Sequence, residues 1–217
     1  MNRFTLPRIG YFGVFLFLFL SGGWSLAQNR TMSTFDASSV QKIILNGDQI
    51  FEIEIQTWSK DQILLQTTVD GEYGNAFKVL SKKESDVFKI ALGPSGLSSI
   101  PDDKRNAHKI ITAAITLRVP EGKQIDVASD VGNVRAAGKM KSLQAVLQTG
   151  NFSFEGQSDY IKVETVEGNM DLRISSGKVD AQSTNGSVRI DPALKGDATV
   201  YLKSIRGNIN VEATSKN

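Results

Sequence analysis

The segment Ser98 to Ile110, SSIPDDKRNAHKI, gathers Asp102, Asp103, Lys104, Arg105 and Lys109 around Pro101 and the chain's single histidine, His108. Two carboxylates with an imidazole are donors suited to a metal ion, and with Arg105 beside them they would also suit an acidic sugar. Adjacent aspartates point to opposite sides of an extended chain, however, and one histidine supplies no second nitrogen ligand. The segment is therefore expected to be a solvated connector whose charges neutralise one another, and no metal or other cofactor is implied. Tyr160 and Tyr201 are the better contact candidates, because they fall outside the inward-facing apolar columns described below. Asn133, Asn151, Asn169 and Asn208 could hydrogen-bond a glycan. Stacked asparagines beside glycines also satisfy one another and tolerate left-handed backbone, so a structural ladder is the expectation.

The chain has no cysteine, which excludes a disulfide scaffold, thiolate metal sites, a cysteine nucleophile and lipid attachment at a cysteine. One histidine also removes most catalytic triads, and no catalytic residues are expected. Of the 217 residues 40% are hydrophobic and 22% charged, an ordinary globular composition.

The first 27 residues read as an export signal: Arg3 and Arg8 without an acid, the 12-residue apolar run Ile9 to Leu20, then small residues ending at Ala27. A membrane-spanning helix needs about 20 apolar residues, so a cut after Ala27 is expected rather than a retained span. Losing Arg3 and Arg8 from the 25 basic side chains balances the 23 acidic ones, and no run of like charge marks a nucleic-acid surface.

Residues 28–119 read as an irregular antiparallel β meander. Val40 to Leu45 and Ile50 to Thr57 flank Asn46-Gly47-Asp48, a sequence suited to a tight hairpin, and Phe51, Ile53 and Ile55 alternate with Glu52 and Glu54. Further strands are expected over Ile63 to Val69, Phe77 to Leu80, Val87 to Leu92 and Ile110 to Val119.

From residue 120 the sequence repeats. Gly132, Gly150, Gly168, Gly186 and Gly207 are spaced 18, 18, 18 and 21 residues apart, followed by Asn133, Asn151, Asn169, Ser187 and Asn208. Seven places before each glycine stand Ile125, Leu143, Ile161, Val179 and Val200. Two places after each stand Val134, Phe152, Met170, Val188 and Ile209. A two-strand unit this short cannot bury its own apolar face, so the units must stack. The reading is an all-β chain whose meander runs into a parallel β-solenoid of about five coils over 120–217, right-handed by the rule for parallel crossovers. A left-handed hexapeptide helix fits poorly, because the register Phe152, Ser158, Glu164 meets a charge and the best register, Phe154, Tyr160, Val166, Leu172, is flanked by Gln148 and Lys178. The calcium-binding G-G-x-G-x-D pattern is absent. Stacking in chain order would line up Glu155, Arg173 and Asp191, pair Asp171 with Arg189, and leave Gly207 to Glu212 as the uncapped edge.

The strand and turn ITLRVPEGKQIDVAS followed by units such as IKVETVEGNMDLRI and LKSIRGNINVE resembles the bacterial "putative adhesin" β-strand-repeat families of unknown function, over about residues 110–217 and loosely before that. The resemblance implies exposure at the cell envelope and adhesion; it supplies no catalytic residues. The expected function is that of an exported, non-enzymatic interaction or adhesin-like scaffold, periplasmic or at the cell surface, with a protein or glycan of the envelope as partner. A carbohydrate-binding or polysaccharide-acting β-helix is the alternative, although the outward column Asp126, Gln144, Lys162, Asp180 and Tyr201 offers no evident pair of catalytic carboxylates. A partner of an envelope-stress sensor is a further possibility.

Overall fold

The computed structural model describes residues 29–71, 76–96 and 111–214. They are all-β, and the strands form one mixed sheet with a single continuous apolar core. Two parallel ladders carry most of it, and each two-strand unit contributes one strand to each ladder.

The repeat columns emerge as register partners. In the first ladder β8 (Gln124–Val131), the second half of β9 (Asn133–Thr149) and the second half of β10 (Phe152–Glu167) place Ile125, Leu143 and Ile161 side by side. In the second, the first halves of β9 and β10 and then β11 (Met170–Ile174) align Val134, Phe152 and Met170. All six of these side chains are buried, as is Phe154, so the alternation of apolar and polar residues sets which face looks inward.

Two features of the upstream half differ from the sequence reading. The Asn46-Gly47 turn does not close a hairpin: β2 (Lys42–Asn46) pairs in parallel with β8, and β3 (Ile50–Trp58) pairs in parallel with β9. The turn is a corner between the two ladders. Asp48 N–H donates to Asn46 Oδ1 at 3.0 Å, Gln49 adopts a φ of 63°, and Gly47 N–H donates across to Ala128 O. Phe51 is not on the inward face with Ile53 and Ile55; the register slips between Ile50 and Glu52, and Phe51 is turned out as the extra residue. β6 (Val87–Pro94) and β7 (Ile111–Pro120) add a further parallel layer beyond β2 and β3. Antiparallel pairing is confined to this end, where β5 (Phe77–Glu84) closes the first ladder, and β4 (Gln62–Gly71) and then β1 (Asn29–Asp36) close the second.

The β5–β6 hairpin carries an ion cluster whose titration is predictable. Glu84 lies between Lys89 and Lys82, whose hydrogen bonds hold its carboxyl at about 2, while Glu84 in turn raises Lys82. Because Glu84 is depressed in the folded chain, its contribution to stability is present above the ordinary value of 4.5 and is lost as pH falls through about 2. An NMR titration of the Glu84 carboxyl carbon should find its midpoint near 2. Lys89→Ala should move the midpoint upward; an unshifted midpoint would show that Lys89 is not the controlling partner.

The largest departure is at the other end. β14 (Thr199–Arg206) pairs with β10 on one side and with β12 (Lys178–Asn185) on the other, so Val200 sits between Ile161 and Val179. Likewise β15 (Ile209–Ala213) lies between β11 and β13 (Val188–Ile190). The last unit in the chain is thus inserted into the stack, and the unit before it forms the end. Pro192 to Gly196, the segment that carries the three-residue lengthening of the repeat, occurs where the chain leaves the end unit and steps back inside it. The charge partners shift accordingly. Arg173 meets Glu212 at 3.5 Å instead of Asp191, and Asn210 separates Asp171 from Arg189. The expected open edge at Gly207 to Glu212 is therefore interior, and among the described residues the edge at this end belongs to β12 and β13.

Candidate interaction surface

Among the sequence candidates, Asp102, Asp103, Arg105 and His108 lie outside the described residues. The asparagines form a ladder of a specific kind. Asn151, Asn169 and Asn208 each donate the backbone N–H to the side-chain oxygen of the asparagine one layer before, at 3.0, 2.9 and 2.8 Å. Ser187 ends the row by donating both its N–H and its hydroxyl to Asn208 Oδ1, and Glu52 begins it by accepting from Asn133 Nδ2. The acceptors are thus satisfied mainly by main-chain amides, with one amide–amide contact, from Asn151 Nδ2 to Asn133 Oδ1 at 3.3 Å. These side chains are committed to holding the corners together.

Tyr160 and Tyr201 come together on the outer face of the first ladder. Their ring centroids lie 6.1 Å apart with the planes tilted by 59°, and Tyr201 is 45% exposed. The inserted unit creates this setting. The register runs Lys162, Tyr201, Asp180 across the strands, with Glu164, Lys203, Gln182 in the adjacent row. An aromatic ring thus lies between Lys162, itself paired with Glu164 at 3.3 Å, and Asp180, beside an open depression of 200 Å³. In chain-order stacking Asp180 would adjoin Lys162 and the ring would sit at the rim. Rings, carboxylate, amide and ammonium groups together provide an apolar platform and hydrogen-bonding groups of both polarities, the chemistry that recognises a sugar ring or a polar peptide.

The outer face of the second ladder carries a wider open depression of 460 Å³, lined by Glu54, Arg135, Glu155, Asp171, Arg173 and Glu212 among others. Arg135 is paired with Glu52 and Arg173 with Glu212, so much of its charge is internally compensated. Among the described residues no group of three His, Cys, Asp or Glu side chains could hold a metal ion, and no helix is long and apolar enough to cross a membrane.

Among solved structures, a "putative cell adhesion protein" from Clostridium sporogenes superposes with a TM-score of 0.66 at 14% identity, covering 87% of this chain and all of that one. The chain has the fold of that protein. A "putative adhesin" from Bacteroides fragilis gives a TM-score of 0.36 at 11% identity, over 87% of this chain and 99% of the other. No family model matches the sequence, and no curated protein matches it. The Clostridium sporogenes protein carries the description that the repeat resemblance implied, and at 14% identity the likeness concerns the fold.

Proposed function

We propose that this protein is an exported, non-enzymatic adhesin-like scaffold whose stacked units wind as a right-handed β-solenoid, with five coils carrying the glycine repeat. Its signal is removed after Ala27, and the mature chain works in the periplasm or at the cell surface. The partner is a protein or glycan of the envelope, received by the outer face of the first ladder. The observation that carries this reading is the exposed Tyr201 ring, set between Lys162 and Asp180 and backed by the ring of Tyr160. The likeness to a protein described as a cell adhesion protein supports it, as does the apolar run Ile9 to Leu20.

The test is binding of labelled mature chain, residues 28–217, to an array of bacterial envelope polysaccharides and envelope proteins, with wild type and Tyr201→Ala compared. Because Tyr201 is partly exposed, the variant should keep its melting temperature while retention falls about tenfold or more, the consequence of losing an aromatic anchor. Equal retention by the two proteins would remove the platform from the account. Release of new reducing ends from a bound polysaccharide would replace the scaffold with an enzyme.

A further inference from the structure

We propose that the end of the stack formed by β12 and β13 is a self-association surface, whose occupant is the same end of a second copy of this chain. The inference shares the stacking order with the adhesin reading but needs no envelope partner, so binding on the array and self-association fail separately.

The two ends are finished differently. At the upstream end antiparallel strands close both ladders, and β5 lines its outer edge with Lys78, Lys82 and Lys83, charged side chains of the kind that discourage strand addition. At the downstream end, among the described residues, β12 pairs only with β14 and β13 only with β15, which leaves one side of each strand without a described partner. The columns that are sealed one layer below open here: Ile209 and Val211 are 1% and 0% exposed, whereas their register partners Val188 and Ile190 are 40% and 38% exposed. Val179 and Ala181 are likewise only half-buried, above the buried Val200 and Leu202.

The shape of this end selects its occupant. A single extended segment could pair with β12 or with β13 but would leave the other strand and the apolar columns between them uncovered. Covering both requires two strands at the spacing of one unit, with apolar side chains facing inward between them. A second β12–β13 end has that arrangement, whereas the opposite end finishes in the antiparallel edge strands β5 and β1, with lysines along β5, so the contact is isologous and stops at a dimer. Charge permits it. Lys178, Arg189 and Lys195 are balanced around this end by Asp180, Asp191 and Asp197, so two copies meet without net repulsion. An antiparallel pairing of β12 with its copy centred on Val179 sets Lys178 of each chain opposite Asp180 of the other.

The test is sedimentation velocity of the mature chain across the micromolar range. Wild type should show a reversible monomer–dimer equilibrium. Val188→Glu combined with Ile190→Glu should raise the dissociation constant about 100-fold or more, because carboxylates would be buried at the contact, while these partly exposed positions leave the monomer folded. Asp180→Lys alone should weaken the dimer, and adding Lys178→Asp should restore it, since the exchanged charges again face each other. A chain that stays monomeric throughout the range would overturn the proposal. So would a dimer indifferent to the Val188 and Ile190 substitutions. A dimer weakened by those two but not rescued by the charge exchange would overturn the antiparallel register.

Discussion

Gly150→Ala should destabilise the protein by about 4 kcal/mol or more, a loss far outside that of an ordinary surface glycine. Two costs combine. Gly150 has a φ of 147°, a conformation that an L side chain adopts only under strain, and a Cβ placed there falls on the carbonyl oxygen of Gly132 in the layer below. The same collision recurs up the stack, with Gly168 against Gly150, Gly207 against Gly168 and Gly186 against Gly207. The obstacle is backbone, not the end of a flexible side chain, so relief requires the two layers to separate and the Asn133–Asn151 hydrogen bond to be lost with them. Gly122 is the proper comparison. Its φ of 73° is also left-handed, but its Cβ would meet nothing within 4 Å, so Gly122→Ala should cost only about 1 kcal/mol. Denaturant midpoints of the two variants would separate the contributions: equal losses would mean that conformation alone explains the glycine column and that layer contact does not.

This column shows what the sequence discloses and what it withholds. A fixed period identifies residues that share a column, because equivalent residues of stacked units face the same neighbours; Ile125, Leu143 and Ile161, or Val134, Phe152 and Met170, follow from spacing alone. The period is silent on the order in which units stack, since every unit fits every other. The order correlates with apolar content instead. The unit of Val200, Leu202, Ile209 and Val211 is inserted where both sides bury it, and the unit containing Ala181 and Ser187 takes the end. Upstream, the same columns are present but out of period. Ile53 follows Ile43 by ten residues where Val134 follows Ile125 by nine, because Phe51 is bulged out, and the layer with Phe88 and Ile115 is interrupted by the Ser98 to Ile110 segment. β1 had no apolar alternation to announce it; its strand character comes from pairing with β4. Of the interaction surface, the off-column position of Tyr160 and Tyr201 was legible. The setting of Tyr201 between Lys162 and Asp180, and its contact with Tyr160, were not, because both depend on the inserted unit.

That insertion is open to a direct energetic test, because it exchanges the expected sensitivities of two equivalent positions. Ile209 and Val188 occupy the same place in the repeat, two residues past a glycine, and both stand at the start of a strand in the second ladder. In the observed order Ile209 is packed between Met170 and Val188, and truncation to alanine leaves a cavity enclosed on both sides. Ile209→Ala should therefore cost about 2–5 kcal/mol. Val188 has a neighbour on one side only, so Val188→Ala should cost less than about 1 kcal/mol in dilute solution, where the end is free. Stacking in chain order would reverse the ranking, seating Val188 directly against Met170 and leaving Ile209 at the rim. Equilibrium unfolding of the two variants thus distinguishes the orders by the sign of a difference of several kcal/mol, well above extrapolation error. A larger loss at Val188 than at Ile209 would return the C-terminal unit to the edge, and with it the Tyr201 platform and the β12–β13 contact would both have to be given up.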